Sequence, residues 1–224
     1  MFDRSSFHRT NTQIKNFYYF GNNMDDTFKT ILEPSEGIFK DKGSRFIAKA
    51  YPVESVEEVK EILASLRKEH HDARHHCYAW RLGPGDASYR VNDDGEPANS
   101  AGKPILGQIQ SHDLTNILIV VIRYFGGILL GVGGLINAYR SAAKESLEHA
   151  VIIDKTFNCQ ISIIFQYAAM NDVMRLIKDF KADIIKQEFG IDCKMQVQIR
   201  TGASDGLISQ LRRIDLVEAQ IDTW

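Results

Sequence analysis

Three carboxylates, two adjacent histidines and a glycine-rich turn are the parts of this sequence with the means to do chemistry. Asp93, Asp94 and Glu96 stand within Asn92-Asp93-Asp94-Gly95-Glu96-Pro97. Such a set can hold a divalent cation or divide the roles of general acid and general base. The plainer alternative is turn chemistry, because Asp-Asp-Gly suits an Asx turn followed by a left-handed glycine. His75 and His76 precede Cys77. On a strand, His75 shares a face with Cys77 and Ala79, while His76 shares the other with Tyr78 and Trp80. The two rings therefore do not converge on one ligand. Zinc needs several N or S ligands at once, and no second Cys/His pair stands at ligand spacing, so no metal is expected. A Cys77 nucleophile with His75 as base has proximity, but no orienting third group or oxyanion hole is recognisable.

The third candidate is Arg123-Tyr124-Phe125-Gly126-Gly127, continued by Gly131, Gly133 and Gly134. An unbroken apolar run, Ile117 to Ile122, precedes it, as suits a strand covered on both faces. Beyond it Leu135, Ala138, Tyr139, Ala142, Ala143 and Leu147 recur at helical spacing. Strand, glycine turn and helix together suggest an anion site, since free amides at a helix start favour negative charge. No Gly-Lys-Ser/Thr follows and the spacing is not G-x-G-x-x-G, so neither common nucleotide loop is present. Glycines that merely let the helix approach the strand are the alternative.

The stretch Val120-Val121-x-Arg123-Tyr124-Phe125-Gly126-Gly127-x-x-Leu130-Gly131 resembles the signature of the IMPACT/YigZ family. Two further blocks carry the resemblance: Asp72-Ala73-Arg74-His75-His76-Cys77-Tyr78-Ala79-Trp80, and the acidic stretch followed by Ala101-Gly102-Lys103-Pro104-Ile105-Leu106. It extends from about Phe28 to the C-terminus. Ala98-Asn99-Ser100 departs from the Ser/Gly-Thr-type residues expected there, which argues against a hydroxyl role for that loop. The resemblance implies an α+β fold with two domains. Residues 24–150 would look like the fourth domain of elongation factor G and the ribonuclease P protein, and residues 151–224 like that factor's fifth domain.

Local patterns agree with two domains. Ser55-Val56-Glu57-Glu58 is a capping box, and a helix from there to about Glu69 places Val56, Val59, Ile62, Leu63 and Leu66 on one face. Arg45 to Tyr51 alternates as a strand, and a short strand is expected at Ser88 to Val91. Residues 82–104 read as a long loop, of the kind that often carries function, and a short helix is expected from Ile105. After Ala150, strands at Cys159–Phe165, Ile184–Phe189, Cys193–Ile199 and Val217–Ile221 alternate with helices around Val173 and Leu207, with Ser204 as a cap. That order, βαββαβ, is ferredoxin-like. Its polar strand faces carry no aromatic, which argues against base stacking of the RRM kind. Residues 1–23 are aperiodic and read as a leader or a mis-called start, with Met24 as the true one.

Composition bounds the function. The 224 residues are 44% hydrophobic and 25% charged, ordinary for a globular chain, and no run has the length of a membrane span. Three dispersed cysteines and no signal peptide suggest reduced thiols in the cytoplasm. Net charge is −2, divided as three basic against one acidic residue in 1–23, fifteen against eighteen in 24–150 and nine against ten in 151–224. Any contact with nucleic acid must therefore come from a local patch.

The expectation is a non-catalytic binding protein that contacts structured RNA, the ribosome or a protein of the translation apparatus, without cofactor or membrane. Arg74, His75, His76, Lys103, Arg123 and Tyr124 would make the contact, with the glycine amides receiving phosphates. Two alternatives stand beside it: a small hydrolase using Asp93, Asp94 and Glu96 with His75 or His76, and a protein-interaction module without chemistry. Eukaryotic members of the family carry an additional N-terminal domain that restrains a starvation-sensing kinase. Since only about 25 aperiodic residues precede the match, that regulation is not expected here.

Overall fold

A computed structural model of the chain describes residues 26–84 and 88–222; the reading of residues 1–23 lies outside them. The apolar run becomes a central strand, β6. Its sheet is built from β2 (Ser35–Asp41), β3 (Ser44–Pro52), β4 (His75–Arg81), β5 (Tyr89–Asn92) and β6 (Ile117–Tyr124), in the order β2-β3-β6-β4-β5. Every pairing in it is antiparallel. One face is covered by α1 (Val56–Glu69), through Val59 and Leu66 against Ile47, Tyr78, Trp80, Leu118, Val120 and Ile122. The other is covered by α2 (Gly102–Ser111) and α3 (Gly131–Glu148), packed on Phe46, Ala48, Cys77, Ala79, Ile119 and Val121. Ile117 to Ile122 therefore have no solvent face and need no alternation.

Two short strands complete this unit. β1 (Thr27–Ile31) and β7 (Ile152–Thr156) pair antiparallel, and Phe28 stacks on Phe157 with ring centres 4.1 Å apart. Because β7 pairs with β1, the contacts divide the chain between Phe157 and Asn158, rather than at Ala150.

The α1 capping box forms with one change. Ser55 Oγ accepts the Glu58 amide at 3.2 Å, but the Glu58 carboxylate takes the amide of Glu54, one residue before the cap, at 2.7 Å.

From Asn158 the chain runs β8 (Asn158–Phe165), a 3-10 turn at Tyr167–Ala169, α4 (Met170–Asp179), β9 (Asp183–Phe189), β10 (Cys193–Arg200), α5 (Thr201–Leu211) and β11 (Val217–Ile221). The sheet order β11-β8-β10-β9, with both helices on one face, is that of a βαββαβ unit. Its open face carries Gln160 and Gln196, joined at 3.0 Å. Ser204 lies inside α5 rather than at its start; it is buried and donates to the Thr201 carbonyl at 2.7 Å. Asp26 belongs to this unit: its carboxylate accepts Arg200 and the Gly202 amide, and the Arg200 guanidinium holds it below the usual carboxylate range.

Candidate functional site

Register brings the first two candidate groups to one end of the five-stranded sheet. His75 opens β4 opposite Arg123, the next-to-last residue of β6. The loop after β5 folds back over that end. Asp94 Oδ2 accepts the His76 amide at 2.7 Å, and the Asp94 carbonyl lies 2.8 Å from His75 Nδ1. Since a carbonyl only accepts, His75 Nδ1 is the donor in this contact. Asp94 also accepts from Arg67 of α1 at 3.1 Å.

Glu96 is the centre of the arrangement. Its Oε1 accepts Arg123 Nη1 at 2.6 Å and the Tyr139 hydroxyl at 2.7 Å, with His75 Nε2 at 4.0 Å. Arg123 is 6% exposed and Tyr139 not at all. The Arg123 guanidinium also lies over the rings of Phe46 and Phe125, at 5.4 and 5.6 Å. A buried ion pair of this kind is a structural clamp, costly to break from either side. Cys77 Sγ lies 3.0 Å from the Asp93 carbonyl and 3.3 Å from the Tyr139 hydroxyl. Burial pushes the Cys77 thiol and the Tyr139 phenol far above their ordinary ranges, so neither supplies an anion near neutral pH.

Asp93 has a different task. Its Oδ1 accepts the amides of Ala101 and Gly102 at 3.0 and 2.8 Å, and its Oδ2 that of Asn99 at 2.8 Å. It satisfies the amides at the start of α2, where the cap residue Ala101 has no side chain able to do so. The expected Asx turn is present, with Asn92 as the acceptor, at 2.6 Å from the Asp94 amide, and Gly95 at φ +87°.

The remaining residues divide by location. His76 is buried on the α1 side of the sheet, and burial lowers its pKa. Tyr124 also faces α1. It donates to Asp72 at 3.2 Å and receives His70 Nδ1 at 2.8 Å, so it does not join Glu96. Arg74 and Lys103 are exposed, the latter in the first turn of α2. Gly126, Gly127, Gly131 and Gly133 lie on one exposed stretch that begins at Phe125, and Gly134 is half-buried. Gly126 has no room for a side chain: a Cβ there would stand 1.9 Å from the Gly43 carbonyl carbon of the β2–β3 turn. Gly127 and Gly131 adopt φ +86° and +71°, conformations that favour glycine. Gly133 has open space around it. No side chain caps α3, and no acid stands in its first turn. Its leading amides are therefore an electropositive corner facing solvent.

Sequence reasoning did not find Tyr139 as a polar participant. It lies at a core position of a helix, 43 residues from Glu96 and 62 from Cys77, and no local pattern encodes those contacts. Among the described residues no group of three His, Cys, Asp or Glu side chains is placed to hold a metal ion. No helix among them is long and apolar enough to cross a membrane.

A two-unit α+β chain with this signature turn and clamp has relatives in the comparisons with known proteins. The Impact N-terminal domain model matches residues 42–147. The chain is 39% identical over 150 residues to the IMPACT family member YigZ of Escherichia coli, covering 66% of this chain and 74% of that one. It is 34% identical over 175 residues to an IMPACT family member of Haemophilus influenzae, covering 76% and 84%. Protein IMPACT of Xenopus laevis is 34% identical over 142 residues, which is 61% of this chain and 45% of that protein. A crystal structure described as that of a hypothetical protein superposes with a TM-score of 0.68 at 30% identity, covering 90% of this chain and 98% of that one. The chain belongs to the IMPACT family.

Proposed function

We propose that this protein is a non-catalytic binder of RNA or of the translation apparatus, and that the open start of α3 receives phosphate. The observation that carries this reading is the exposed Phe125–Leu129 stretch leading into a helix with an exposed first turn, no side-chain cap and no acid in that turn. Arg74 and Lys103 are exposed cations of the same unit, whereas Arg123, His76 and Tyr124 are committed to internal contacts. The carboxylates needed by a hydrolase are likewise committed: Asp93 to backbone amides, Asp94 to Arg67 and His76, Glu96 to Arg123 and Tyr139. In this reading the two units play the parts of the fourth and fifth domains of elongation factor G, and the protein works in the cytoplasm as a regulator of translation. Co-sedimentation with ribosomes and filter binding to structured RNA across a salt series test it. Salt-sensitive binding at or below about micromolar is expected, and its absence contradicts the reading.

A second reading, a protein partner without nucleic acid, has its own support. Ile128, Leu129 and Val132 are 55%, 82% and 53% exposed on the same stretch, an apolar lip that suits a protein surface. Pull-down with and without nuclease separates the two, since a protein contact survives the treatment.

A further inference from the structure

We propose that the tip of the β2–β3 hairpin is a site for single-stranded RNA, with Phe125 as the stacking face and Lys40, Lys42 and Arg45 as the phosphate contacts. The proposal rests on the reading that the protein contacts RNA, and places that contact at residues which the signature blocks do not include, Phe125 apart. The hairpin tip and the start of the glycine turn border one open depression of about 540 Å³, lined by these four residues together with Asp41, Gly43, Ser44 and Tyr124. Three cations face one carboxylate there, in a chain whose overall charge is −2. This is the local basic patch that the composition requires of any nucleic-acid binder here.

The aromatic part is equally specific. Phe125 is 42% exposed although it follows directly on a buried strand. Arg45 stacks its guanidinium over the Tyr124 ring at 4.7 Å, which extends the flat surface beside Phe125. Bases stack on such faces without regard to sequence, provided they are not already paired. The two walls are locked together before any ligand arrives. The Gly126 amide donates to Ser44 Oγ at 3.2 Å, and Gly126 sits against Gly43 at a distance that excludes any Cβ. A preformed groove loses little freedom on binding. Duplex RNA, whose bases are stacked internally, gains nothing from Phe125 and fits this chemistry less well.

The test is fluorescence anisotropy with a short labelled oligouridylate and a labelled RNA hairpin, on the full chain. The wild type is expected to bind the oligouridylate. Phe125→Ala should weaken that binding on the order of tenfold, and Lys40→Gln with Lys42→Gln should lower the slope of log affinity against log salt by about 1.4. Phe125→Leu keeps the bulk without the aromatic face and should lose as much as Phe125→Ala, which decides the matter if the alanine variant folds poorly. Unchanged affinity in Phe125→Leu overturns the proposal. Binding of the hairpin RNA without the oligouridylate overturns the groove and leaves the RNA reading standing. Failure to bind either RNA overturns both.

Discussion

Two helices begin at the same end of the central sheet, and they are finished in opposite ways. α2 starts under the acidic loop, and Asp93 accepts three backbone amides there, two of them at Ala101 and Gly102. α3 starts after the glycine turn with no side-chain cap and no acid in its first turn. Both starts carry the same partial positive charge. One is neutralised within the chain and the other is left for something outside it. Two helix starts on one sheet thus have opposite fates, and only the accounting of amides tells them apart.

The largest expected effect breaks the closed corner outright. Glu96→Ala leaves the Arg123 charge buried without its partner and the Tyr139 hydroxyl without its acceptor. Chemical denaturation should show a loss of about 3–5 kcal/mol, and a loss no larger than a surface substitution gives would refute the clamp. Next comes Asp93→Ala, expected to cost about 2 kcal/mol as a lost cap, with faster hydrogen exchange confined to the first turn of α2. Similar acceleration at α3 would mean that the two corners are not separate.

Acid should act on the α1 side of the sheet, away from both helix starts. Burial holds His76 below its ordinary 6.5, against the opposing pull of Asp94 and with the help of Arg67 and His70. The unfolded chain therefore binds the proton more readily. Stability is full above about pH 6.5 and falls as pH drops through the lowered value. Thermal unfolding between neutral pH and pH 5 should show this fall, and His76→Gln should flatten it. The Asp26 contribution is lost only below the ordinary aspartate value of 3.8 and lies outside that window.

How much of this was legible in the sequence depends on the range of the contacts. The unbroken run of β6 disclosed a strand buried on both faces, and Ser55 with Glu58 disclosed the start of α1, because those signals are local. β2 was not visible: Ile38 is 49% exposed, and the strand sits at an edge where burial imposes no clear alternation. β1 and β7 are five residues each and find one another across most of the chain. At the site, residue types announced a polar cluster, and register on a strand separated His75 from His76. Nothing local indicated that Tyr139 would reach Glu96, or that Asp93 would close α2 instead of serving a ligand. Those outcomes depend on how the loop folds back, which the turn residues permit without dictating.

The smallest expected change in stability gives the most direct test of the open corner. Gly133 has helical backbone and empty space where a Cβ would stand, so it accepts substitution without strain. Gly133→Ala should stabilise the fold by about 0.5–1 kcal/mol and leave RNA or ribosome binding as it was. Gly133→Glu should add a further 0.3–1 kcal/mol or so by complementing the helix dipole, while weakening that binding at least several-fold. A rise in stability paired with a fall in affinity is the result this account predicts. A Gly133→Glu protein that binds ribosomes and structured RNA as well as Gly133→Ala does would contradict it.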